Sequence, residues 1–171
     1  MARGFDEIIL PHLDAAFNYA CRLTRSRPEA EDVVQDACLK AMRFMSSLRE
    51  GDGRSWLFAI VRNTWYSRLS RGAARRESPL DDDDDRESPD EGLDPEAQLQ
   101  QRQTVARVRA ALDELPVDFR EVVVLRDIEG LSYKEISIVV GVPIGTVMSR
   151  LARGRNRLLH ALKPAPVGSP R

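Results

Sequence analysis

The chain is poor in the side chains on which most enzymes, metal proteins and secreted domains depend. Its 171 residues include two cysteines, Cys21 and Cys38, and two histidines, His12 and His160. The cysteines lie far apart, with no CxxC spacing and no clustered histidine. That pattern argues against a metal site or a disulfide framework and for buried free thiols on apolar helices. No cofactor is expected. A glycine-rich phosphate loop is also missing, and no nucleophile has a base at motif spacing, so the chain is not expected to be an enzyme and both histidines read as helical surface. No apolar run approaches the roughly 20 residues that cross a bilayer. The stretch MARGFDEIILPHLD carries acids and a proline where a signal peptide has an uninterrupted apolar segment. The expectation is a cytoplasmic protein without membrane insertion. With 42% hydrophobic residues there is enough apolar material for one helical domain or two small ones.

A net charge of -1 conceals strong segregation: residues 1–70 carry +1, residues 71–101 carry -7 and residues 102–171 carry +5. The acidic stretch lacks periodicity, is rich in proline and contains the run Asp81 to Asp85, a composition that cannot bury enough surface to fold alone. Residues 72–98 are therefore expected to form an acidic flexible linker, either simply solvated or occupying a positively charged groove. At ~3.3 Å per residue it could span up to about 90 Å, letting the flanking modules act at separated sites.

Before the linker, residues 1–71 read as a three-to-four-helix bundle. One helical region runs from Phe5 to about Leu23, with Ile8, Ile9, Leu13, Phe17 and Ala20 on a stripe and a bend or restart at Pro11. Ser26 and Glu29 form an S-x-x-E capping box for a second helix, which is expected to pack through Val33, Val34, Ala37, Ala41, Phe44 and Met45. Asp32, Gln35 and Asp36 share its outer side at i, i+3 and i+4. A third helix is expected from Trp56 to about Arg71, capped by Ser55. Its packed side would carry Trp56, Leu57, Ile60, Val61 and Trp65, while Arg62, Asn63, Tyr66, Arg68 and Arg71 lie elsewhere on its circumference. Rings stack on unpaired bases and guanidinium groups hold phosphates, so this face suits single-stranded nucleic acid. Core aromatics beside a few solvated arginines are the plainer alternative.

After the linker, residues 99–163 read as a four-helix module, and 164–171 as a disordered tail. Val105, Val108, Ala111, Leu112 and Leu115 mark a helix ending at Pro116, and Val122 to Ile128 mark another ending at Gly130. Ser132 and Glu135 form a second capping box, opening a helix at Tyr133 that buries Ile136, Val139 and Val140. Gly141 supplies its left-handed stop. Pro143 suits the start of a last helix, on which Val147, Leu151 and Leu158 face inward and Thr146, Met148, Ser149, Ala152 and Arg153 face out. Two short helices around a tight turn make a helix-turn-helix, which sets its second helix in the major groove of DNA. No acidic residue follows Glu135, whereas Arg150, Arg153, Arg155, Arg157, Lys163 and Arg171 do, and phosphate is their natural counter-charge.

The segments AEDVVQDACLKAMR (Ala30 to Arg43), WLFAIVRNTWYSRLSR (Trp56 to Arg71) and LDELPVDFREVVVLRDIEGLSYKEISIVVGVPIGTVMSRLARGRNRL (Leu112 to Leu158), in this order around an acidic linker, resemble one family closely. They are similar to the extracytoplasmic-function (ECF) sigma factors of bacterial RNA polymerase, which keep only the second and fourth sigma domains. The resemblance implies an all-α fold, with sigma domain 2 at 1–71 and sigma domain 4 at 99–163. It also implies an alternative sigma factor that binds core RNA polymerase and directs promoter-specific initiation. Its implied partners are the beta-prime clamp helices, facing Asp32, Gln35 and Asp36, the beta flap, promoter DNA and an anti-sigma factor. The loop from Ser46 to Arg54 and the helix from Trp56 to Arg71 would recognise and melt the minus-ten element, with Arg62, Asn63, Tyr66 and Arg68 as DNA contacts. Thr146, Met148, Ser149, Arg150, Ala152 and Arg153 would read the minus-thirty-five element as duplex. Ser67 stands where relatives often have an acid and Met148 where they often have a base, so a contact by Met148 would be apolar or shape-based. The competing reading is a helix-turn-helix regulator that is not a polymerase subunit. Such a protein would need neither the Asp32 patch nor the aromatic and basic face of the third helix.

Overall fold

The computed structural model describes residues 4–49, 51–72, 92 and 94–164, and all regular structure among them is helical. The acidic run Asp81 to Asp85 and the expected tail from 165 onward lie outside the described residues.

In the N-terminal module, α1 (Phe5–Ile8) gives way to a 3-10 turn over Leu10–His12 and then to α2 (Leu13–Thr24). The break falls at Pro11, which has no N–H to continue the helix. A left-handed residue, Arg25 at φ 53°, ends α2 and donates its N–H to the Cys21 carbonyl. The second helix, α3 (Arg27–Arg43), starts where Ser26 accepts a hydrogen bond from the Glu29 amide, with Pro28 in the first turn; the expected capping box is half formed, because the Ser26 amide donates to Thr24 Oγ1 at 3.2 Å. It buries Ala30, Val33, Val34, Ala37 and Ala41. Phe44 was expected on the same stripe but is 52% exposed, because α3 stops at Arg43 and the chain turns before the apolar period continues.

The third long helix, α4 (Gly53–Arg71), starts two residues before the expected cap. Ser55 therefore lies inside its first turn, buried, with its hydroxyl making no hydrogen bond. Gly53 explains the shift. A Cβ there would sit 2.6 Å from Cγ2 of Ile8 and 3.0 Å from its carbonyl oxygen, so a glycine lets α4 begin directly beneath α1. Leu57, Phe58, Val61, Thr64 and Trp65 form the buried side of α4.

The C-terminal module opens with α5 (Pro95–Glu114), capped by the Asp94 carboxylate, which accepts from the Ala97 amide at 2.8 Å. It begins four residues ahead of the boundary expected at Leu99. Next come α6 (Val117–Val123) and a π-helical turn over Val124–Ile128, then α7 (Tyr133–Val140) and α8 (Ile144–Leu162). The second capping box is complete: the Glu135 amide donates to Ser132 Oγ at 3.1 Å and the Ser132 amide to the Glu135 carboxylate at 2.7 Å. Gly141 takes φ 72° at the stop. The chain then turns so that α7 and α8 meet at 98°, the angle of a helix-turn-helix.

Gly154 fixes the packing of α8 on α6, since a Cβ there would lie 2.8 Å from Cγ2 of the buried Val123 and 3.3 Å from Phe119. We expect Gly154→Ala to destabilise the protein by about 1–3 kcal/mol through overpacking. Thermal unfolding by circular dichroism measures this, and an unchanged midpoint would refute such close approach.

The two modules are not held apart. In this structure α4 packs on α7 and α2 on α6, and the buried residues of both modules form one continuous core. No single helix among the described residues is long and apolar enough to cross a membrane.

Candidate nucleic-acid interface

The first expected surface is the acidic face of α3. Asp32 and Gln35 are exposed and Asp36 is partly so, and all three project from the side opposite the buried Val33, Val34 and Ala37. Arg68 reaches across from α4, with Nη1 2.8 Å from Asp36 and Nη2 3.7 Å from Asp32. The structure thus joins a residue expected on DNA to the patch expected on polymerase. Arg68 is one-third exposed and its partners are about half exposed, so this pairing holds the side chain loosely.

The second surface is α4. Asn63 points to solvent, whereas Arg62 and Tyr66 turn toward the C-terminal module. The Arg62 guanidinium lies over the Tyr66 ring, 4.4 Å from its centroid, and Tyr66 meets Trp65 edge-on at 4.8 Å. Arg62 also makes a bidentate pair with Glu121 of α6, Nε at 2.8 Å and Nη2 at 3.0 Å. Glu121 is fully buried, and it also accepts a hydrogen bond from the Tyr19 hydroxyl at 3.3 Å. Burial pushes the Glu121 carboxyl above its usual range even though the Arg62 hydrogen bonds pull the other way. Burial likewise lifts Tyr19 well above an ordinary phenol, with the Glu121 charge adding to it. For Arg62 burial works against the cation, yet its bonds to Glu121 prevail and hold its pKa up.

Periodicity missed this group. The available signal was the charged pair Arg120-Glu121 adjoining the apolar run Val122 to Leu125. Arg120, also buried, serves helix ends: it donates to the carbonyls of Asp113 and Leu115 at the end of α5 and of Leu23 at the end of α2.

The third surface is the outer side of α8. Val147 and Leu151 are buried, while Met148, Ser149, Ala152 and Arg153 are exposed and Thr146 is partly so. Ser149 donates its hydroxyl to the Thr146 carbonyl at 3.0 Å. Arg150 lies on the inner flank, close enough for its charge to act on Tyr66. The residues expected at the minus-ten and minus-thirty-five elements are therefore divided: Arg62, Tyr66 and Arg150 face the seam between modules, Arg68 lies on the α3 patch, Thr146 is partly exposed, and Asn63, Met148, Ser149, Ala152 and Arg153 face outward. Arg155 is held to Asp127 by a bidentate pair at 2.5 and 2.9 Å and is less available to phosphate than its position in the sequence suggests.

Known proteins account for this arrangement. Residues 8–76 match sigma-70 region 2, and residues 106–158 match sigma-70, region 4. The RNA polymerase sigma-H factor of Pseudomonas aeruginosa is 34% identical over 173 residues, covering 95% of the chain and 88% of that protein. The ECF RNA polymerase sigma factor SigE of Mycolicibacterium smegmatis is 38% identical over 155 residues. The chain belongs to the sigma-70 family, in its ECF group. The match to SigE takes in 91% of the chain and 60% of SigE. Among solved structures, the sigma factor RpoE of Bartonella quintana, in complex with the anti-sigma factor NepR, superposes with a TM-score of 0.72 at 29% identity. That match covers 92% of this chain and 96% of RpoE. The sigma-70 region 2 match spans α1 to α4 and the region 4 match takes in Glu121 and the helix-turn-helix, so the Arg62–Glu121 pair joins the two sigma regions.

Proposed function

We propose that the chain is an alternative sigma factor, which joins core RNA polymerase, gives it promoter preference and directs initiation without catalysing a reaction itself. One observation carries this reading. A single chain presents an acid and amide face on α3, a ring, amide and guanidinium group on α4, and an arginine-bearing helix-turn-helix helix on α8. Asp32, Gln35 and Asp36 suit arginines of the beta-prime clamp helices through charge-assisted hydrogen bonds. Domain 4 would dock on the beta flap. Asn63, Tyr66 and Arg62, with Arg68 at the edge, suit a flipped minus-ten base and its phosphates. Thr146, Met148, Ser149, Ala152 and Arg153 suit a minus-thirty-five duplex, and Arg150 would join them once it is released from the seam. The protein would work in the cytoplasm under an anti-sigma factor, as the RpoE and NepR pairing supports. Co-purification with core polymerase followed by run-off transcription on genomic DNA tests the reading. Transcripts starting at a defined promoter set are expected, and none beyond those of core polymerase alone would refute it.

Arg153 offers a narrower test. With the full chain on duplex promoter DNA, Arg153→Ala is expected to lower the slope of log K against log salt by about 0.9 if the residue grips one phosphate. If it reads a guanine, sequence discrimination should fall by about 1–3 kcal/mol. A variant matching the parent in both respects would remove Arg153 from the interface.

A further inference from the structure

The Arg62–Glu121 pair crosses the seam between the modules, and the other polar contacts across that seam are weaker. Arg54 lies 3.4 Å from the Glu129 carbonyl and 3.5 Å from the Glu135 carboxylate, Arg22 lies 3.5 Å from Asp113, and Arg120 lies 3.5 Å from the Leu23 carbonyl. These stand at the limit of hydrogen bonding, and Arg25 donates to the Asp113 carbonyl at 3.2 Å, whereas Arg62 binds Glu121 through two bonds at 2.8 and 3.0 Å. The bidentate pair consumes one edge of the guanidinium, and the Tyr66 ring covers its face. The fork formed by Nε and Nη2 is therefore closed to a phosphate or base edge while Arg62 holds Glu121, and the guanidinium keeps only 17% of its side-chain surface exposed. Glu121, for its part, is fully buried, and besides Arg62 it accepts a hydrogen bond from the Tyr19 hydroxyl.

We propose that Glu121 is an internal competitor for promoter DNA: it occupies Arg62 and covers Tyr66, so the packed modules form a closed state that cannot capture a minus-ten base until α6 leaves α4. The proposal rests on the sigma-factor reading, in which Arg62 and Tyr66 belong to the minus-ten surface. Its physical logic is exchange. Desolvating two ions nearly cancels their attraction, so a buried pair of this kind is close to balance against separated, hydrated partners. A new anion for Arg62 then shifts the equilibrium, whereas a purely apolar seam would offer DNA no group to exchange. Arg150 and Asp118 also act on Tyr66 from the C-terminal side of the seam, so opening changes its whole charge environment.

The test uses the full chain by small-angle scattering, with titration against core polymerase and circular dichroism as companions. Glu121→Gln and Glu121→Arg should raise the radius of gyration while keeping helix content. Because domain 2 would engage the clamp helices and domain 4 the beta flap at separate places, packed modules cannot reach both, and apparent affinity for core polymerase should rise by about tenfold, the gain from releasing a closed state populated roughly nine to one. The exchanged variant Arg62→Glu with Glu121→Arg should return the radius of gyration to the parent value, although its minus-ten contact is lost. Single variants that stay as compact and as weakly binding as the parent would overturn the latch. If the single variants lose helix, the exchanged variant decides: compaction supports the latch, and an expanded or unfolded chain overturns it. A parent chain that never binds core polymerase would refute the sigma-factor reading instead, and scattering from the chain alone would still decide the latch.

Discussion

Reversing Asp32 and Asp36 to lysine is expected to abolish capture of core RNA polymerase while leaving the helices in place. Each reversal puts a cation against a surface that must itself be cationic to pair with this face, and like-charge juxtaposition across an interface costs several kcal/mol. A loss of about a hundredfold or more in affinity follows, since each 1.4 kcal/mol is about tenfold. The fold should tolerate the change. Both carboxylates are about half exposed, and their partner Arg68 can turn to solvent, so the lost pairing is worth about 0–1 kcal/mol. Circular dichroism and a pull-down with core polymerase check both halves. A folded double variant that is captured like the parent would remove the clamp-helix assignment.

What could be read from the residues, and what could not, divides by the range of the interaction. Ser132 with Glu135, Gly141, Pro11 and Ser26 are local signals, and the structure realises each because a cap, a left-handed stop or a missing N–H acts within one turn of chain. The inward set Val147 and Leu151 follows from helical period alone. Ser55 misled because the same capping chemistry is available wherever a serine precedes apolar residues, and only the α1 segment over Gly53 fixes where α4 starts. Phe44 misled because period cannot say where a helix ends. The seam was out of reach for a different reason. Tyr19, Arg62 and Glu121 meet across separations of 59 and 102 residues, and an isolated acid in an apolar stretch has no local pattern that names its partner. The outward residues of α8 could be placed on the correct face, but that Arg62, Tyr66 and Arg150 face the other module depends on tertiary packing.

Asn63→Ala and Tyr66→Ala should each leave polymerase capture nearly normal and cripple strand opening. Asn63 is exposed on α4, and Tyr66 is half-buried against Arg62 and Trp65, whereas the α4 residue that reaches the Asp32 patch is Arg68. Holding one base outside the stack depends on ring stacking and base-edge hydrogen bonds worth about 1–3 kcal/mol each. Open complexes on a linear promoter should therefore fall by about five- to 150-fold. A template whose bubble is already melted should recover much of that loss, because the energy of unpairing has then been removed from the step. If both variants open linear DNA as well as the parent, these side chains are ordinary packing and the base-capture assignment fails.

Strand opening by the parent chain itself is the most direct test of the central claim. Core polymerase, the purified chain and a linear promoter found by run-off transcription are mixed and treated with permanganate, which oxidises unpaired thymines. The account predicts reactive non-template thymines just upstream of the start site only when core polymerase and the chain are both present. Duplex binding by the chain without any reactive thymine, at concentrations that saturate core polymerase, would contradict it and leave a helix-turn-helix DNA-binding protein that does not open promoters.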